Sequence, residues 1–536
     1  MSRLLQNSVS DFTGGLNLRT DAFQLGKNES PNLLNVDVDP RGGLSVRGGM
    51  TKFNTAAIGS ITDGSAVAKN VVYWEGTTPR VVVGMNNGIY HSSGGAFTSF
   101  AITTNAPDGP SFASWTASSV SSLYVAIGSL ESKKIIGTTV TALTDPTGSY
   151  NENFASPTTG KMPRAQFCAI YANMLWCANT TETATSMPNR LRFSHPLNIE
   201  NWRALDFIDI PDGGDGITGM CVFNGALLVF KKHSVWSITG NTPETFNLVN
   251  LTNMIGAVNS LSVAATESAV YFFSWSQGMY KFNGQTFEDI FSSIRPILQD
   301  KTVNELAQSA IRVTVLGGRI WLGLPRDNYT VNTENYIYDE SIGNGAWTRY
   351  QTSDSRGVGS GCQFVSSTGQ TFLFAAHSSN AYILKVDQLA VTQDDIGTGL
   401  SNFDSYYTTK WYDADNISAK KMWRRPDLIM KRVAVDSSTL VEVYHNWTEN
   451  QIKRSFTIEV VGVGDSLMWR TIGVEPDAYD GWNQADWGAS PDGSIFVQGK
   501  NLGLSRSLQM VFRGVAGKPW GINSITYKFN PRKVRA

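Results

Sequence analysis

The chain has 536 residues, of which 41% are hydrophobic, 11% aromatic and only 17% charged, and it contains 50 glycines. A single ordinary core stops growing near ~250–300 residues, so one compact domain is excluded, and the Gly-rich, charge-poor balance speaks against a mainly helical protein. Forty-four basic and 45 acidic residues give a formal net charge of −1, without the basic excess that phosphate neutralisation demands of a dedicated nucleic-acid binder.

The N-terminus, Met1 to Phe12, has no apolar h-region of a secretory signal. No apolar run approaches the ~18 residues of a membrane-spanning helix. The expectation is a chain made in the cytosol that stays soluble or assembles there. Residues 1–55 carry Gly14-Gly15, Pro31, Pro40, Gly42-Gly43 and Gly48-Gly49. With little strand pattern, they read as an extended N-terminal arm.

From about residue 56 to 400 the chain repeats itself. Short apolar/polar alternations broken by Gly, Asn, Asp and Ser read as strands and hairpins. The units centre on Val81–Tyr90, Ser122–Gly128, Phe167–Cys177, Met220–Phe230, Ala269–Ser274, Ile311–Leu322 and Thr371–Ala376. Their spacing of roughly 40–55 residues is that of propeller blades. In one unit Asn224-Gly225 marks a type I′ hairpin turn, which needs positive φ at both central residues. It is followed by Leu227–Phe230, Ser234–Ile238 and Gly240-Asn241. Four short strands per unit is blade architecture, and a blade cannot bury both faces alone. The expected fold is therefore all-β: a β-propeller of about six or seven blades. Helical signals are confined to Asn304–Val313 and a turn near Ser292–Leu298.

From about 401 to 536 the strands lengthen. Lys410–Tyr412, Val433–Val435, Leu440–Tyr444, Phe456–Val460, Leu508–Phe512 and Ile525–Phe529 suggest a separate sandwich-like domain.

Chemical signatures are sparse. Cys168, Cys177, Cys221 and Cys362 form no C-x-x-C pair and read as buried thiols in a reducing compartment. His91, His195, His233, His377 and His445 lack metal-ligand spacing. Ser490-Pro-Asp-Gly-Ser-Ile-Phe496 is the nearest approach to a sialidase-type turn and lacks its Gly and Trp offsets. Gly357–Gly361 is off-pattern for a nucleophile elbow, and Gly514-Val-Ala-Gly-Lys518 is too short for a P-loop. Glu475, Asp477, Asp480 and Asp486 with Trp482 and Trp487 form the one acid-aromatic patch. It reads either as a loop whose tryptophans anchor a neighbouring subunit or as a sugar-handling surface. The basic run Lys420, Lys421, Arg424 and Arg425, with Lys431 and Arg432, reads as a solvated face or subunit contact rather than a DNA grip. No catalytic, metal or cofactor residues are expected, and the chain is read as a non-enzyme.

Phe12-Thr-Gly-Gly-Leu-Asn17, Asn32-Leu-Leu-Asn35, Gly42-Gly-Leu44 and Arg47-Gly48 together resemble the opening of phage tail nozzle proteins, the tail tubular protein B-like family. Arg192–His195 with Asn201-Trp202, Leu228–Lys231 with Ser234–Trp236, Gly278–Tyr280 with Asn283-Gly284, and Asn530-Pro-Arg532 followed by Arg535 are similar to phage virion propellers. The resemblance runs over most of the chain as a pattern. It implies a virion tail component made in a bacterial host: a homohexameric ring at the distal end of a short tail, below an adaptor ring. Such a ring supports fibres or spikes and lets genomic DNA pass without specific binding. The alternative is a host-receptor or polysaccharide-binding tail propeller, including one with glycoside hydrolase activity.

Overall fold

A computed structural model describes residues 4–532, apart from 61–66, 105–108, 153–158, 212–213, 389–390, 432–435, 461–493 and single positions at 77, 149, 197, 276, 301, 367, 398 and 516. The fold is all-β, a β-propeller joined to a sandwich-like pair of sheets. Six antiparallel four-stranded sheets follow one another in sequence, at 68–99, 111–142, 164–209, 217–252, 263–289 and 312–350. A seventh is built from Val358–Val365, Thr371–His377 and Ile383–Gln388. Its fourth strand is Gly49–Lys52, from the N-terminal segment. The described residues thus make seven blades, and the ring is closed by pairing the two ends of the repeat.

Local chemistry explains the hairpins. Asn224 and Gly225 take φ of 47° and 72°, the type I′ geometry expected of them. The corresponding turns of three other blades, Ser118-Ser119, Ala172-Asn173 and Gly317-Gly318, also have positive φ at both positions. Each blade then buries its faces against its neighbours. Trp74, Val82 and Ile89 of the first blade pack with Leu123, Val125 and Ile135 of the second. Met174, Trp176 and Leu191 of the third pack with Leu227, Val229 and Ile238 of the fourth. Phe374 and Ile383 of the seventh meet Val71, Val81 and Val83 of the first.

A polar side chain bonded to backbone bridges every junction between blades. In order round the ring these are Asn70 Nδ2 to Pro110 O (3.2 Å), Ser111 Oγ accepting from Cys168 N (3.1 Å) and Asn179 Nδ2 to Ile217 O (3.3 Å). Next come Thr218 Oγ1 to Ala257 O (2.8 Å), Asn259 Nδ2 to Ile311 O (3.2 Å) and Thr314 Oγ1 to Gly361 O (3.0 Å). Ser360 Oγ, accepting from Val71 N at 3.3 Å, completes the circuit. The free edges of the inner strands would otherwise leave backbone groups unpaired.

Two further sheets lie beside the fifth and sixth blades. One runs Ser494–Gln498, Asp427–Lys431, Gly521–Pro531, Lys421–Trp423 and Gly503–Ser505, and Leu5–Val9 and Leu44–Val46 also pair with Gly521–Pro531. The other runs Asn32–Leu34, Tyr406–Thr408, Leu508–Gly514, Ser437–His445 and Arg454–Val460. The expected strand at Val433–Val435 lies outside the described residues.

Two expectations are corrected. The first 55 residues are not a plain arm with little strand pattern. Their short strands pair with both sandwich sheets and with the seventh blade. The partners are as distant as Leu5 and Phe529, so no local periodicity announces them. The expected helix at Asn304–Val313 is a 3-10 run, Glu305–Ala310, that gives way to the strand Arg312–Leu316. Asn304 caps it by accepting from Leu306 N at 2.9 Å, but Leu306 is 96% exposed, so no apolar face holds a longer helix.

Candidate functional site

A buried polar cluster lies where the N-terminal segment, the last two blades and the sandwich meet. Arg47 and Asp394 are fully buried and paired through both terminal guanidinium nitrogens, at 3.0 and 2.8 Å. The remaining N–H groups of Arg47 donate to Asn35 Oδ1 (2.9 Å), Gly48 O (2.8 Å) and Gln351 O (2.8 Å). All five guanidinium donors are thereby used. Asp394 also accepts from Met50 N and Ser353 N, each at 2.9 Å. Phe403 covers the guanidinium, 3.8 Å from Cζ to the ring centre.

Asn35 extends the cluster. Its backbone is left-handed, at φ 54°, a region Asn tolerates better than most residues. This geometry lets its side chain accept from Gln351 N at 2.8 Å and donate to Asp404 O at 2.6 Å. A few angstroms thus join the N-terminal segment, the exit of the sixth blade, the extension of the seventh and the start of the sandwich. Burying charges is costly, and only full pairing and hydrogen bonding offset it. Here both conditions are met.

Beside this lock, a cleft of about 530 Å³ opens between the sixth blade and the second sandwich sheet. Arg326, Arg349, Tyr336, Tyr444 and Arg513 line it. Glu334 accepts from Arg326, Arg349 and Tyr336, at 3.4, 3.5 and 2.6 Å. Glu442 accepts from Arg513 at 2.9 Å and Tyr444 at 3.1 Å. Burial pushes the Tyr336 phenol well above its ordinary range, and the adjacent Glu334 adds to it. The two carboxylates take the single O–H of each phenol and hold the guanidinium groups in place along the cleft.

The blade axis holds a smaller cavity of about 340 Å³, lined among others by Asn70, Ser111, Ser114, Cys168 and Ser260.

No family model matches the chain, and no curated protein matches it in sequence. Among solved structures, the extracellular domain of BT4673 from B. thetaiotaomicron is similar at a TM-score of 0.37 and 9% identity, over 70% of this chain and 43% of that one. A second structure of that domain gives 0.36 and 10%, over 66% and 44%. YCF48 bound to D1 peptide gives 0.33 and 7%, over 66% of this chain and 97% of YCF48. The chain therefore spans less than half the length of the BT4673 domain.

The basic run singled out in the sequence divides. Lys421 is 1% exposed and is a correction to its reading as part of a contact face. Its ammonium donates to Asn416 O and, at 2.9 Å, to Arg506 O, and burial holds its pKa below the usual lysine value. The strand Lys421–Trp423 turns Lys421 and Trp423 inward by its two-residue period. Lys420, Arg424 and Arg425 are exposed, and Arg424 Nε reaches Asn530 Oδ1 at 2.8 Å. Trp482 and Trp487, with the acids of their patch, lie outside the described residues.

The histidines are dispersed. His91 contacts Arg80 at 3.0 Å, His377 contacts Asp354 at 3.4 Å, and His445 contacts Leu502 O at 2.8 Å. Among the described residues no three His, Cys, Asp or Glu side chains group as a metal site would need. Sequence reasoning missed the Arg47–Asp394 pair, whose members stand 347 positions apart. Arg47 did carry a signal, as part of the Arg47-Gly48 step singled out near the start of the sequence. Asp394 carried none.

Proposed function

We propose that this chain is a structural component of a bacteriophage tail, the subunit of a nozzle-like ring that lets DNA pass and docks an adaptor and fibres or spikes. One observation carries the reading. Asn35 and Arg47, which belong to the nozzle-like opening of the sequence, are members of the buried lock that joins N-terminal segment, propeller and sandwich. The residues behind the resemblance therefore do architectural work, as a load-transmitting subunit requires. The proposed partners are further copies of the chain, a hexamer by the family likeness, and the adjoining tail proteins. Heterologous contacts between identical copies close rings of this kind. The chain's work is mechanical, without a catalytic step, and its place is the virion tail.

A second reading, a propeller that binds a receptor or polysaccharide, draws on the Arg- and Tyr-lined cleft at the propeller–sandwich junction. Light scattering on the purified full chain, alongside a glycan-hydrolysis assay, separates the two. The tail reading expects a closed multiple of the chain mass and no released sugar. A monomer that releases reducing sugar overturns it.

A further inference from the structure

Cys168 and Cys177 face each other directly across the first two strands of the third blade, Arg164–Tyr171 and Met174–Glu182. The backbone N–H of Cys168 donates to Ser111 Oγ of the second blade at 3.1 Å, so it points away from the strand carrying Cys177. The two residues are therefore a non-hydrogen-bonded pair, the closer of the two antiparallel pairings, with Cα atoms ~4.5 Å apart. That spacing falls within the ~4.4–6.8 Å range a disulfide accepts. Both side chains belong to the same core, between the second and third blades. Both are free thiols, and Cys168 also borders the axial cavity.

We propose that Cys168 and Cys177 form a redox-sensitive thiol pair, which a small peroxide entering the axial cavity converts into a cross-strand disulfide. The Cys168 thiolate attacks one oxygen of hydrogen peroxide and the O–O bond breaks. The departing hydroxide takes up the thiol proton as water, leaving Cys168 as the sulfenic acid. The Cys177 sulfur then attacks the Cys168 sulfur, and the hydroxyl leaves with the Cys177 proton as a second water. Two thiols and one peroxide thus give one disulfide and two waters.

Burial pushes the Cys168 thiol up to about 12 and the Cys177 thiol well above its usual value, with the neighbouring Cys168 adding to the latter. Thiolate is scarce at neutral pH, so the reaction is slow and speeds up as pH rises. Oxidation also removes the Cys168 S–H donor, now 3.4 Å from Ser111 O. It exchanges one contact between the second and third blades for a covalent rung within the third.

The test uses the intact chain, freed of reductant, treated with hydrogen peroxide, then denatured, alkylated and mapped by mass spectrometry. The tryptic peptide 165–190 carries both residues. It is expected to resist alkylation, to lose two hydrogens in mass, and to regain two alkylatable thiols after reduction. Cys221 and Cys362 remain alkylatable throughout. In Cys177→Ser the Cys168 sulfenic acid, now without its partner, is expected to persist and to be trapped by dimedone. Two alkylated thiols in peptide 165–190 after peroxide, or equal dimedone labelling in the wild-type chain, overturns the proposal.

Discussion

Between the third and fourth blades the core is closed by residues of those two blades, with Trp176, Leu191, Leu227 and Val229 at its centre. Between the fifth and sixth the core does not stop. Tyr271, Phe273, Leu322 and Tyr336 continue into Phe12, Leu33 and Val36 of the N-terminal segment and on to Trp423, Phe512 and Trp520 of the sandwich. The same hairpins thus make a self-contained wall on one side of the disc and a fused block on the other. What differs is the N-terminal segment, which passes along the outer strand of the sixth blade. There Gly15 sits at φ 61°, with no room for a Cβ, which would lie 2.6 Å from Trp347 O.

That difference makes the N-terminal segment and its lock matter more to stability than any single blade-to-blade contact. Removing residues 1–52 strips a strand from the seventh blade and several from the sandwich. It should abolish cooperative unfolding and leave the C-terminal strands open to protease; a truncated chain that melts like the whole would erase the distinction. Arg47→Met leaves Asp394 buried and unpaired, and is expected to cost ~3–5 kcal/mol in denaturant unfolding. Pairing it with Asp394→Leu should recover much of that loss, which a purely packing role for Arg47 would not produce. On the other side of the disc, Leu227→Ala should cost ~2–5 kcal/mol. Hydrogen exchange should confine its loosening to the third and fourth blades and spare the sandwich.

A smaller effect follows from Glu182, bonded to Arg192 at 2.7 and 2.9 Å. Burial alone would raise its carboxyl, but Arg192, Thr180 and Arg190 outweigh burial and hold it below the usual value. Its contribution is present above the unfolded carboxylate value of 4.5 and fades as pH falls through the lower folded value. Glu182→Gln should flatten that part of the acid unfolding curve. Smallest of all, Lys420→Ala and Arg425→Ala, both exposed, should change the stability of a single copy by no more than ~0.5 kcal/mol. Any larger effect should appear in assembly, measured by light scattering.

The blades were legible because their chemistry is local. Asn224-Gly225 announces its turn, and strands such as Leu227–Phe230 alternate over a few residues. Turns such as Ser118-Ser119 and Ala172-Asn173 adopt the same backbone without the residues that advertise it. The N-terminal strands, the closure by Gly49–Lys52 and the partnership of Arg47 with Asp394 depend on residues hundreds of positions away. Lys421 shows the same limit: in sequence it belongs to a basic run, but strand alternation turns it inward, and carbonyls at Asn416 and Arg506 receive it.

Electron microscopy of the purified full chain tests most directly whether shape is its work. Class averages should show closed rings of identical copies, each a seven-bladed disc with a lobe fused to one side. Isolated single copies at every concentration, or discs whose lobes swing freely, would contradict the account.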